Sequence, residues 1–187
     1  MTIVTNWYSD DAKPGFNPNV TYTINTTTNP EVPGPNFLLG ERVEGINGSE
    51  WLWVQASATI SQNNLIAISN TFKATVLSSA LAVSNQYTIG VAEFQVTAAA
   101  TNDFFWALLK ANGGVAVNAV ASTSTGSVLF ISNSPLGSIT SSVTSNALVG
   151  IAPVSATIAT SASGPMECRI MSYMWTSQDW LAAGSTV

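Results

Sequence analysis

Trp51-Leu52-Trp53-Val54-Gln55-Ala56-Ser57 is the stretch from which the fold is read. Aromatic and β-branched residues suit the pleated, half-buried surface of a strand. Trp51 and Trp53 stand two apart and therefore share one face, while Leu52 looks to the other. Apolar residues on both sides predict a strand inside a doubly covered sheet. The same grammar continues outward, as short apolar runs broken by Ser, Thr, Asn and Gly. It predicts strands at 51–57, 65–69, 72–77, 87–97, 104–110, 114–121, 127–132, 147–160 and 166–173. Turn signals fall at Gln62-Asn63-Asn64, Ala111-Asn112-Gly113-Gly114, Ser134-Pro135-Leu136-Gly137 and Ser163-Gly164-Pro165. Thr97-Ala98-Ala99-Ala100-Thr101 reads as a hairpin connection, and one short helix fits 78–83. The chain is predicted to be all-β, a small antiparallel β-barrel or sandwich.

Charge is scarce. The chain of 187 residues carries five basic and ten acidic side chains and no histidine, so 8% is charged while 46% is hydrophobic. A typical soluble domain is roughly 25% charged. The net charge of −5 opposes nucleic-acid binding, which needs clustered cations to displace counterions. Lys13, Arg42, Lys73, Lys110 and Arg169 are scattered. No membrane partner is expected either, because the longest apolar runs, such as 104–109, fall far below the ~20 residues of a spanning helix. The N-terminus has no basic-then-apolar signal pattern, so the Asn-x-Ser/Thr sequons at Asn19, Asn25 and Asn47 are read as plain Asn/Thr-rich sequence. Cys168 alternates with Met166 and Ile170 and is read as a small buried hydrophobe.

Two regions differ in character. Residues 1–45 hold Pro14, Pro18, Pro30, Pro33 and Pro35, which forbid a long helix or a central strand. They also hold Trp7, Tyr8, Phe16, Tyr22, Phe37 and Leu38, too apolar for a solvated tail. An extended N-terminal arm lying across another surface fits this segment, with those six residues as its contacts; an irregular loop packed on its own barrel is the competing reading. Residues 46–187 form the β domain, ending in an aromatic C-terminal segment.

The strand order then carries a resemblance. Trp51-Leu52-Trp53-Val54 is followed by Leu65-Ile66-Ala67-Ile68, then Ile89-Gly90-Val91-Ala92 and Phe104-Phe105-Trp106-Ala107-Leu108-Leu109. Gly114-Val115-Ala116-Val117-Asn118-Ala119 and Leu148-Val149-Gly150-Ile151-Ala152 complete the series. Over about residues 50–160 this layout resembles the capsid decoration (cement) proteins of tailed bacteriophages. The resemblance implies a β-barrel on the outer surface of an icosahedral head, made in the host cytoplasm and carried on the virion. It implies the major capsid protein as partner, self-association as a homotrimer, and no cofactor.

Other chemistry is thin. Without histidine, acid–base work would fall to carboxylates: Glu41 with Glu44, Asp10 with Asp11, or the isolated Glu93, Asp103 and Glu167. None has the spacing of a zinc or calcium motif, so no catalytic or metal site is expected. The aromatics matter more. Trp51 and Trp53 are a candidate platform if their face turns outward, and ordinary core or subunit interface if inward. Tyr173, Trp175 and Trp180 need anchoring near a chain end and are candidate interface residues. The alternative function is a carbohydrate-binding or adhesive module, a head fibre or receptor-binding tip, using such rings against sugars.

Overall fold

A computed structural model describes residues 16–18, 21–23, 37–45, 48–83, 86–97, 103–142, 147–154 and 163–177. The strands are β1 (Tyr22–Thr23), β2 (Arg42–Glu44), β3 (Glu50–Ala56), β4 (Asn64–Ile68), β5 (Lys73–Val76), β6 (Thr88–Ala92), β7 (Asp103–Ala119), β8 (Leu129–Ile131), β9 (Ile139–Thr140), β10 (Ala147–Pro153) and β11 (Gly164–Ser177). The one helix among the described residues, α1 (Ser79–Val83), starts where the Ser78 hydroxyl accepts the Leu81 N–H at 3.3 Å, an ordinary N-cap. The all-β prediction holds.

The strands close two rings that share β7. In the first, β3 pairs with β7, β7 with β6, β6 with β4, β4 with β5, and β5 in parallel with β3. In the second, β7 pairs with β11, β11 with β10, β10 with β8, β8 with β9, and β9 in parallel with β7. Closure removes most of the free strand edges that a flat sheet would expose. β2 lies outside the first ring, antiparallel to β3.

Side-chain alternation explains the two rings. Leu52 and Val54 of β3, Ile66 and Ile68 of β4, Ala74 of β5, Ala92 of β6, and Phe105, Ala107 and Leu109 of β7 form one buried cluster. Every strand of the first ring contributes, so this cluster is the ring's interior. The alternate residues, Trp51, Trp53, Leu65, Ile89, Val91, Trp106 and Leu108, join a second and larger cluster. That cluster continues into the second ring through Val115, Val117, Ile139, Met166, Cys168 and Ile170. The first ring is therefore apolar on both faces, and β4 is buried at every position. The strand pattern read from 51–57 is confirmed here. In the second ring β11 reverts to plain alternation, with Met166, Cys168 and Ile170 buried and Arg169 and Met171 exposed.

Two sequence expectations need correction. The predicted turn at 111–114 is absent, and the strands at 104–110 and 114–121 are one continuous β7. Opposite it, Arg169 pairs with Gly114 but Ile170 pairs with Ala111, so Asn112 and Gly113 form a bulge. A bulge bends a strand without ending it, and here it lets β7 pass from one ring to the other. The Glu167 side chain lies across Gly114, in the space a Cβ there would occupy. Likewise Gly164-Pro165 opens β11 rather than forming a turn. The predicted strand 87–97 stops at Ala92, with only an Ile60–Val96 bridge beyond it. The connection at 98–101 and the end of the predicted strand 147–160 lie outside the described residues.

The described parts of 1–45 lie on the barrel. Leu38, Leu39, Gly40 and Glu41 form a turn closed by Glu41 N–H to Leu38 C=O at 2.9 Å, with Gly40 at φ +83°. Such a φ at the third position defines a type II turn and demands glycine. The turn is stitched to β3 by Gly40 N–H to Trp53 C=O at 2.9 Å and Trp53 N–H to Glu41 C=O at 2.8 Å. A Cβ on Gly40 would also run into the ring of Phe72. Gly40→Ala is therefore expected to cost about 1–3 kcal/mol, read as a lower urea midpoint at unchanged slope.

Candidate functional site

The aromatic candidates whose side chains are described turn inward. Trp51 and Trp53 are 0% exposed and Trp106 is 1% exposed. Trp53 lies opposite Trp106 in the β3–β7 register, with ring centroids 5.0 Å apart. Phe16 and Phe37 close the group edge-on, each 4.9 Å from Trp106. Trp51 and Trp53 thus offer no platform to solvent, because the second ring and the two phenylalanines cover their face. Phe16 and Phe37 are likewise core residues of this chain and not displayed contacts.

The other arm residues divide. Leu38 is 81% exposed at the tip of the turn described above, and Leu39 beside it is 40% exposed. Tyr22 belongs to β1, which pairs with the start of β7 through Phe104. Tyr173 and Trp175 are on β11, Trp175 opposite Val149 of β10. The side chains of Tyr22, Tyr173 and Trp175, and the whole of Trp7, Tyr8 and Trp180, lie outside the described residues.

The carboxylates do not converge into a site. Glu41 accepts the Leu38 N–H at 2.9 Å and so braces the turn. Glu50 holds Arg42 at 2.6 Å across β2 and β3. Glu93, just past β6, is 7% exposed, and its Oε2 finds no hydrogen-bond partner among the described residues. Burial pushes its pKa up from 4.5 to about 7. Asp103 is also buried, with Oδ1 unpartnered among the described residues. No group of three or more His, Cys, Asp or Glu able to hold a metal occurs among the described residues. The Cys168 thiol is pushed up to about 12 by burial and by neighbouring Glu167, which leaves it inert as a nucleophile. Asp10 and Asp11 are outside the described residues.

Three concavities stand out among the described residues. A polar one is lined by Asn64, Asn118 and Ser138, with Asn118 Nδ2 donating to Gln62 C=O at 2.7 Å and to Asn64 Oδ1 at 2.8 Å. A shallow groove runs along β8 and β10, from Val128 to Pro153. The third, about 330 Å³, sits at the mouth of the first ring. Its walls include Leu52 and Ile68 from the ring interior, together with Phe72. Arg42, Ser69, Asn70, Gln86, Tyr87 and Thr88 surround them. The register explains the convergence: Arg42 pairs with Leu52 and Thr88 with Ile68, so all four lean to the inner side.

Sequence reading missed this mouth. Its one signal is a hairpin loop, Asn70-Thr71-Phe72, without the glycine such a loop normally carries. Neither a protein-family model, nor a curated protein, nor a solved structure matches this chain. No helix among the described residues is long and apolar enough to cross a membrane.

Proposed function

We propose that this chain is a structural virion protein, a decoration or cement protein that binds the outer surface of an icosahedral phage head and stabilises its lattice. The observation that carries the reading is the Leu38-Leu39 turn. Two leucines project into solvent from a loop held by Phe37 in the tryptophan cluster, by Gly40 and by the Glu41 carboxylate. Ordering entropy opposes any binding segment that must first be fixed; this one is already fixed. An apolar tip docks without stranding buried charges where the charges beside it already have partners, as Glu41 has in the Leu38 N–H and Arg42 in Glu50. The partner is the major capsid protein, with the chain acting as a homotrimer around a lattice axis. Binding to the assembled lattice alone raises its rupture temperature by mass action.

Purified chain is to be added to heads lacking it, with occupancy read by electron microscopy and rupture by calorimetry. Regular, saturable decoration with a higher rupture temperature is expected. Leu38→Asp is expected to weaken occupancy by about tenfold or more, the loss of one buried leucine contact being about 1.5–3 kcal/mol, without lowering the chain's own melting temperature. Intact heads that remain undecorated would overturn the proposal. The rival reading, a carbohydrate-binding or adhesive module, cannot use Trp51 or Trp53 as its platform because both rings are core, while the side chain of Trp175, its third candidate ring, lies outside the described residues.

A further inference from the structure

We infer that the mouth of the first ring is a binding site for one neutral hexopyranose unit of a glycan. The inference begins from a backbone outlier. Phe72 has φ +58°, a left-handed conformation that a bulky aromatic residue rarely adopts. It arises because Asn70-Thr71-Phe72 closes the β4–β5 hairpin as a three-residue loop. Phe72 N–H bonds Ser69 C=O at 2.9 Å, and Ser69 N–H bonds Lys73 C=O at 2.9 Å. Glycine is the natural occupant of that last position. Strain of this kind persists where surrounding structure holds it, and it clusters at functional sites.

What the strain maintains is the placement of a ring. Phe72 lies over Gly40, whose missing Cβ makes room for it, and Phe72 helps to wall the mouth. Tyr87, partly buried and packed against the larger cluster, borders the mouth beside Thr88. Rings of this kind pack against the C–H face of a pyranose, which is apolar, while its hydroxyls point to the rim. The rim supplies their partners: the amides of Asn70 and Gln86, the hydroxyl of Thr88, and the guanidinium of Arg42. About 330 Å³ lies at the small end of ligand-pocket sizes and suits a single sugar ring with its neighbours outside.

The charge pattern selects a neutral sugar over an acidic one. Arg42 is the one cation lining the mouth, and it is already paired with Glu50 at 2.6 Å. With the Arg42 charge balanced in this way, the mouth carries no net positive charge that would favour a carboxylated or sulfated sugar. Among the described residues, none of the three mouth-lining groups that could stack or hydrogen-bond strongly, Phe72, Tyr87 and Arg42, belongs to the Leu38-Leu39 turn.

The test uses the intact chain in solution, so its result does not depend on capsid binding. Maltotriose, cellotriose and chitotriose are titrated by calorimetry and saturation-transfer NMR, with a sialylated trisaccharide as the acidic comparison. Saturable binding of at least one neutral trisaccharide is expected. Tyr87→Ala and Arg42→Gln should each weaken it about tenfold, or 1.4 kcal/mol. Met171→Ser, on the exposed side of β11, should bind as the parent does. Phe72→Leu, which keeps an apolar plug, separates folding from recognition: it should keep the melting temperature near the parent's and lose the sugar. Absence of saturable binding by all three neutral probes would overturn the inference. So would binding indifferent to both Tyr87 and Arg42, or preference for the acidic sugar.

Discussion

Trp106→Ala is expected to lower the unfolding free energy by about 3–5 kcal/mol, the range for deleting a large buried aromatic side chain. Its ring has three aromatic neighbours with centroids at 5.0 Å or less, Phe16, Phe37 and Trp53. Two of those come from the N-terminal segment and one from β3, so Trp106 is the point at which the N-terminal segment is anchored on the β3–β7 pair of the first ring. A side chain substitution there removes transfer free energy and leaves a cavity that rigid strands on both sides cannot close. For a chain of this size, each kcal/mol moves the melting temperature by roughly 2–4 °C, so a fall of about 10 °C is expected. Urea unfolding followed by circular dichroism measures the loss. The N-terminal segment should also be cut faster near Phe16 by a dilute protease, because its anchor has lost a wall. A loss below about 1.5 kcal/mol would mean that the aromatic group collapses onto the gap and that Phe16 and Phe37 are held by something else.

The contrast between what the residues foretold and what they concealed follows from the range of the forces involved. Alternation over 51–57 and 65–68 is a local signal, and the strands there appear within a residue or two of expectation. The doubly apolar pattern of β3 was readable for the same reason. The continuity of β7 was hidden, because Asn112-Gly113-Gly114 is locally turn-like and only the opposing β11 turns it into a bulge. Phe16 and Phe37 read as arm contacts on another surface because proline-rich sequence around them excludes regular structure, whereas their burial fits the competing reading of a loop packed on its own barrel. Irregular chain packs as well as regular chain when a cage such as that around Trp106 is available to receive its rings. The Trp51/Trp53 pair was left with two readings, and alternation alone has no means to decide which face of a strand is inward.

The mouth was concealed for a different reason. Its residues come from four separate stretches, around Arg42, Leu52, Ile68 to Phe72, and Gln86 to Thr88. Ring closure brings them together, and ring closure depends on the parallel β3–β5 pairing, Gln55 with Lys73 and Ala56 with Ala74. Parallel neighbours require a crossover, here provided by β4, whose hairpin carries Phe72 to the rim. The exposed Leu38-Leu39 turn stands between these cases. Gly40 after two leucines is a turn signal, but its rigidity comes from Trp53 and Glu41 and is a property of the packed chain.

Stability should fall as pH rises from about 4.5 to about 7, and Glu93 should be the cause. Its carboxyl is buried, and burial raises its pKa from 4.5 to about 7 because the charged form loses hydration. Within that window the folded protein keeps a proton that the unfolded chain has released. Stability therefore decreases with increasing pH across the window and levels off above it, which is the reverse of the usual salt-bridged carboxylate. A gap of about 2.5 pH units at 1.36 kcal/mol each corresponds to about 3 kcal/mol. Glu93→Gln keeps the shape and polarity of the side chain but has no charge to bury. Its urea midpoint should match the parent's near pH 4, exceed it by about 3 kcal/mol of unfolding free energy at pH 8, and show the difference opening between those values. Parallel curves for parent and variant would mean that the folded carboxyl is hydrated or paired. The difference at pH 8 thus measures how dry the end of β6 is.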